Sequence, residues 1–350
     1  AATLALLDAQ SRFMQYLEKA GRLNRAIEYL PSEEQLAERR AEGLGLTTPE
    51  RAVLLAYSKI WVYDELLDSP LPDDPRLAVT LTRYFPKRLR ERFTQWMPRH
   101  PLGREIIATY VTNSMLNRVG STYVYRLVES TGARAHEVVR AYLMSRDIFG
   151  LVPMWHAIEA LDNRVADEVQ ARMLIHTSAQ LERGTTWLLR SRRLADDMAD
   201  TVAYFQPGVE ALGARLRELH SADANPGVEA VVQHYEAEGV PRDLALRVAT
   251  FDSLHAMLDI AEVAADAGEA VELVAAIYFD IGNRLGLPWL HDRIGALPGD
   301  QHWRNLAKVA MQDDLSGLQR AITVAVLASG ARAAPAAERA EAWQNANGRA

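Results

Sequence analysis

Apolar residues recur at steps of three and four along almost the whole of this 350-residue chain, and no other feature constrains its fold as tightly. Such spacing returns side chains to one face of an α-helix, where they can be buried together. Val53, Ala56, Tyr57, Ile60, Tyr63 and Leu67 follow one track, with Arg51, Ser58 and Glu65 on the other side. Ile107, Val111, Met115 and Val119 keep a second, and Leu244, Val248, Phe251, Leu254 and Leu258 a third. Ser121 to Val128 is rich in β-branched and aromatic residues, which favour a strand. Its flanks are helical and no hairpin partner stands near, so it reads as helix. The expected fold class is all-α: a bundle-like array of many helices, forming one large or two packed subdomains.

Helix boundaries are marked by residues that satisfy free backbone groups. Ser32 stands three residues before Gln35, and Thr47 three before Glu50, both at capping-box spacing; Pro49 falls in a first turn, where its missing amide hydrogen is harmless. Gly43 and Gly45 suit a helix end, and Gly286 with Pro288 beyond it another. Further helices are expected from Pro153, from about Val165 to Arg193, from Glu269 to Leu285, and from near Gln301 through Leu318, Ile322 and Val326. The Asn225-Pro226-Gly227 turn coincides with a change in charge balance: residues 1–200 hold 27 basic and 26 acidic side chains, residues 201–350 hold 12 and 20. The expected organisation is therefore a neutral helical subdomain over 1–200, an acidic one over 201–330 with the seam near 200–227, and a disordered Ala-, Arg- and Glu-rich tail over 331–350.

Most chemistries are excluded by what the chain lacks. It has no cysteine, which removes disulfides, thiolate metal sites and cysteine nucleophiles, and fits a cytoplasmic origin. No apolar run is long enough to cross a bilayer, so a soluble protein is expected. A start at Ala1-Ala2-Thr3 already inside a helical pattern suggests a cut within a longer polypeptide, methionine removal or processing being the alternative. Dinucleotide binding needs a strand, a glycine-rich turn and a helix; Gly43-Leu44-Gly45 runs into Thr47, Thr48 and Pro49 with no strand ahead. The nine histidines never pair at the one-turn spacing of a zinc-binding helix; His255 beside an apolar stripe reads as a core histidine, His156 and His176 as surface or hydrogen-bonded ones.

Two clusters have functional content. Asp196, Asp197 and Asp200 spell DDxxD, a spacing that in helical terpenoid synthases holds magnesium against a diphosphate. The complementary metal motif is missing, Asp313-Asp314 is too short to replace it, and a short acidic run on an exposed helix, with Arg190, Arg192 and Arg193 as ordinary pair partners, is the favoured reading. Arg83, Lys87, Arg88, Arg90, Arg92 and Arg99 form a basic cluster, either a solvated helix face or a contact for an acidic partner, which would make the chain a helical protein-binding scaffold.

Longer phrases carry a more specific signal: GRLNRAIEYL (Gly21 to Leu30), LTTPERAVLLAYSK (Leu46 to Lys59), PDDP and YFP within 71–86, the stretch Arg104 to Gly132, MWHAIEALDNRV (Met154 to Val165), Tyr278 to Leu290, Trp303 and Asp313-Asp314-Leu315. In this order the chain resembles the C-terminal helical region of the large bacterial NAD-dependent glutamate dehydrogenases. The resemblance implies a parent enzyme that oxidises L-glutamate to 2-oxoglutarate and ammonia with reduction of NAD. In that family the dinucleotide fold and the catalytic lysine and aspartate precede this region. It therefore implies no catalytic, cofactor-binding or metal residue here, and an isolated segment without activity. The implied partners are the catalytic domain of the same polypeptide and further copies in a homo-oligomer, with no nucleic acid and no membrane. Asn113, Asn117, Arg118 and Tyr123 lie in the best-matching phrase; Asn113 and Asn117, one turn apart, could form a buried polar connection to another helix or to the catalytic domain, or simply cap or face solvent.

Overall fold

The computed structural model describes residues 2–195, 197–220, 226–251, 256–297, 302–329 and 334–347. Among them are eighteen α-helices, four short 3-10 segments and no strand, the all-α class expected. The chain divides into two compact units, Ala1–Tyr142 and Leu143–Ala350. The seam anticipated at 200–227 falls inside the second unit, and residues 221–225 of it lie outside the described residues.

The first unit contains α1 (Ala2–Lys19), α2 (Glu33–Ala41), α3 (Thr48–Leu67), α4 (Ala78–Tyr84), α5 (Lys87–Phe93), α6 (Gly103–Val119) and α7 (Tyr123–Thr131); the division falls within α8 (Ala135–Ile148). Both capping boxes form. Ser32 Oγ accepts from Gln35 N at 3.3 Å while Gln35 Oε1 accepts from Ser32 N at 2.9 Å, and Thr47 with Glu50 repeats the exchange. Arg39, near the end of α2, grips Glu50 at 2.5 and 2.8 Å, which ties the end of α2 to the cap of α3. The strand-like stretch becomes α7, whose Tyr125 joins Phe13, Tyr16 and Trp61 in an aromatic cluster with neighbouring ring centroids 5.2–6.5 Å apart. Each such pair adds roughly 1 kcal/mol beyond the area it buries.

The helix at 48–67 forms as its periodicity predicts, but with a different face inward. Leu54, Ser58, Trp61, Val62 and Leu66 are buried, whereas Ile60 is 54% exposed. A large indole and three aliphatic groups at helical spacing outweigh one small hydroxyl, so Ser58 is carried into the core. The track over α6 is placed as expected, with Ile107, Val111 and Met115 buried.

In the loop between α1 and α2, Leu23 and Leu30 are buried, and the Arg25 guanidinium bridges Glu18 at 3.0 Å and Glu33 at 2.7 Å and donates to Pro31 O at 3.2 Å. Tyr29 in that loop adopts φ 53, a left-handed conformation that costs a non-glycine residue about 1 kcal/mol or more.

The second unit holds α9 (Leu151–Glu159), α10 (Asp167–Arg190), α11 (Met198–His220), α12 (Pro226–Ala237), α13 (Arg242–Ala249), α14 (Met257–Ala267), α15 (Val271–Arg284), α16 (Leu287–Gly295), α17 (His302–Ser329) and α18 (Ala336–Asn347). The track from Leu244 is shared between α13 and α14: Leu244, Val248, Phe251 and Leu258 are buried, and Leu254 lies outside the described residues. Gly286, at φ 68, stops α15 and caps α16, so Pro288 opens a helix instead of closing one.

The segment after Gly330 differs most from expectation. Residues 336–347 form a helix, and Ala340 sits with Ile277, Ile281 and Val326 in one core cluster, with Trp343 packed against it. Alanines let the helix approach closely, Trp343 supplies the apolar area that composition hid, and buried Arg339 donates through Nε to Ala334 O at 3.0 Å.

Candidate functional site

Of the DDxxD carboxylates, Asp196 lies outside the described residues. Asp197 caps α11: its Oδ1 accepts from Ala199 N at 2.7 Å and from Asp200 N at 3.4 Å. That oxygen serves the helix start, and Asp200 is exposed one turn further on. Among the described residues no group of three or more His, Asp or Glu side chains is arranged to hold a metal ion. Gly43, at φ 73, ends α2, and Thr47 caps α3, so Gly43-Leu44-Gly45 is a linker between two helices. On α6, Asn113 is half-buried and Asn117 exposed, which puts the pair at the margin of the buried face; Arg118 is half-buried in the last turn. Tyr123 is buried edge-to-face with Tyr142 at 6.1 Å. His156 is exposed, His176 half-buried, and His255 lies outside the described residues.

Among the described residues of the second unit stands a polar network that no motif singled out. Asp259, Glu262 and Asp266 stand on one side of α14. Asp259 is 2% exposed; its Oδ1 accepts from Trp187 Nε1 at 2.9 Å and Arg320 Nη1 at 3.2 Å, and its Oδ2 faces the Tyr278 hydroxyl at 3.5 Å. Arg320 reaches on to Glu262 at 2.9 Å. Arg193 meets Asp266 at 2.8 Å and lies 3.8 Å over the Tyr204 ring, whose hydroxyl donates to Asp266 at 2.5 Å. The network therefore ties α10, α11, α15 and α17 to α14.

Burial pushes the Asp259 carboxyl above the usual carboxylate range despite the opposing pull of Trp187, Arg320 and Tyr278. Glu262 is raised for the same first reason, and burial likewise raises the Tyr278 and Tyr204 hydroxyls. The ion-pair geometry alone would favour a charged Asp259; its near-complete enclosure outweighs that attraction. With both oxygens of Asp259 facing donors from three other helices, the arrangement acts as a clamp between helices.

The basic cluster lies in the first unit on α4, α5 and the turns after them. Arg83, Lys87, Arg88, Arg92 and Arg99 are exposed, and α5 buries none of its residues. Leu89, Phe93 and Trp96, at helical spacing on one side, are 43%, 40% and 60% exposed. Arg92 stacks over Phe93 at 5.3 Å, and Lys87 pairs loosely with Glu91 at 3.8 Å.

Residues 43–350 match the family model described as glutamate dehydrogenase, C-terminal. The chain belongs to that family. It is similar to the NAD-specific glutamate dehydrogenase of Pseudomonas aeruginosa, at 41% identity over 333 residues, 93% of this chain and 21% of that protein. The corresponding figures are 38% over 332 residues for Halomonas elongata (95% and 20%) and 34% over 341 residues for Mycobacterium tuberculosis (97% and 21%), both also NAD-specific glutamate dehydrogenases. The chain thus spans about a fifth of the length of these curated relatives.

In this glutamate dehydrogenase C-terminal segment, the α14 network had only a faint trace in sequence: Asp259 and Glu262 interrupt the apolar run Met257 to Ala264 at helical spacing. Tyr278 follows Asp259 by 19 residues, but Trp187, Arg193, Tyr204 and Arg320 stand more than fifty residues away along the chain, so nothing local announces their pairing.

Proposed function

We propose that this segment is the non-catalytic helical part of an NAD-dependent glutamate dehydrogenase, supporting the catalytic domain, assembly or regulation of the same polypeptide. The parent reaction is L-glutamate with NAD and water giving 2-oxoglutarate, ammonia and NADH; the chemistry and the NAD both belong outside these residues. The observation that carries the reading is the match to a C-terminal family model over 43–350, in a chain about a fifth as long as its relatives. The α14 clamp supports it, since its carboxylates face protein donors and its strongest contacts hold helices together. A cytoplasmic homo-oligomer completes the proposal, in keeping with a cysteine-free chain; among the described residues no helix is long and apolar enough to cross a membrane.

The test is to produce the 350-residue chain alone, verify helicity by circular dichroism, and follow NADH formation with glutamate across the pH range. A folded helical protein without turnover is the expected result. Glutamate-dependent NADH formation by the isolated chain refutes the proposal.

A further inference from the structure

The exposed face of α5 and its flanks combines uncompensated positive charge with uncovered aromatic surface. Over 83–99 six cationic side chains face one acidic residue, Glu91. Elsewhere in the first unit arginines find carboxylates, Arg12 with Glu129, Arg22 with Asp64, Arg25 with Glu18 and Glu33, Arg39 with Glu50, Arg40 with Asp8, Arg104 with Asp73 and Arg134 with Glu137, while Arg51 reaches the Thr48 hydroxyl. Among the described residues Arg83, Arg88, Arg92 and Arg99 have no such partner. A seven-residue helix that buries nothing is also below the length at which a helix holds itself together in water. Leu89, Phe93 and Trp96 leave apolar surface open beside those charges.

We propose that Arg83–Arg99 is a docking surface for an acidic, apolar-centred protein face on the part of the glutamate dehydrogenase polypeptide outside this segment. The inference rests on the functional reading above. Charge complementarity selects an acidic face, and five of the six cations are arginines, whose planar forks match carboxylates and which, with Trp and Tyr, are enriched in protein contacts. Four fifths of the relatives' length lies outside the matched region, ample to supply such a face. An anionic membrane fits less well: α5 is only about 10 Å long, and Leu89 and Phe93 are more than half covered by their own unit, so neither can sink deeply into an acyl layer.

The test compares backbone hydrogen exchange in the full-length polypeptide and in the 350-residue chain, with and without Arg88→Glu/Arg92→Glu. The wild-type full-length protein should exchange at 83–99 on the order of tenfold or more slowly than the isolated chain, and the double variant should lose that protection. Arg88→Lys/Arg92→Lys, keeping the charge, should retain part of it, which a purely structural defect in α5 would not allow. Unchanged exchange at 83–99 with protection at another face overturns the docking surface and leaves the supporting role standing. Unchanged exchange everywhere overturns both. Charge-dependent binding of the isolated chain to phosphatidylserine vesicles or to RNA, without protection in the full-length protein, also overturns the proposal.

Discussion

Replacing Asp259 by alanine tests whether the α14 network is a clamp. The substitution removes the acceptor for Trp187 Nε1 at 2.9 Å and one of two acceptors for Arg320, while Tyr278 at 3.5 Å loses only a weak contact. A buried donor left without an acceptor costs about 1–3 kcal/mol. Arg320 keeps Glu262 at 2.9 Å and its side chain is 37% exposed, so water can serve it and its share is discounted. Relief of the buried carboxyl offsets part of the loss. The expected net destabilisation is about 2 kcal/mol, or about 4–8 °C in the melting temperature of a unit of this size. Asp259→Asn keeps the shape and an acceptor and should cost under about 1 kcal/mol. Denaturant and thermal unfolding followed by circular dichroism measure both. An alanine variant within about 0.5 kcal/mol of the parent, or an asparagine variant as damaged as alanine, refutes the clamp.

The same residue predicts a pH dependence. Because the folded state raises its proton affinity, its stabilising contribution is complete below the ordinary carboxylate value and is lost as pH rises through the elevated one; the stability difference between parent and Asp259→Asn should shrink over that interval. Glu50 has the opposite sign: the Arg39 guanidinium lowers its proton affinity, so its contribution is present above the ordinary value and vanishes as pH falls through the depressed one, a slope that Glu50→Gln should flatten. Gly184→Ala should destabilise by about 1–2 kcal/mol in urea unfolding, because the new methyl would lie 2.5 Å from the buried Phe149 ring, and the overpacking exceeds the roughly 1 kcal/mol gained in helix propensity. Ser32→Ala should cost about 1 kcal/mol by removing one half of the first capping box, measurable as earlier thermal unfolding.

Local rules were legible in the sequence and distant ones were not. Capping boxes need only four consecutive residues, and both appear where Ser32 and Thr47 place them. The all-helical class follows from periodicity alone. Which face of α3 turns inward depends on what packs against it: Trp61 has Phe13 and Tyr16 to meet, and these belong to a helix more than forty residues earlier. Composition misled for α18, since alanines and a lone tryptophan look unremarkable until Ile277 and Ile281 supply their other half. The basic cluster was visible as charge; that its neighbours Phe93 and Trp96 stay uncovered is a property of the folded unit.

The core around α15 also sets a timetable for synthesis. Ile277 and Ile281 are made about sixty residues before Ala340, the last buried member of their cluster. At about 5–20 residues per second, the ribosome leaves that apolar stripe without its final cover for roughly 3–12 s. During those seconds a chaperone or a neighbouring nascent chain can occupy the place reserved for α18. Slower synthesis between Arg284 and Ala340 would lengthen that interval without altering a single residue.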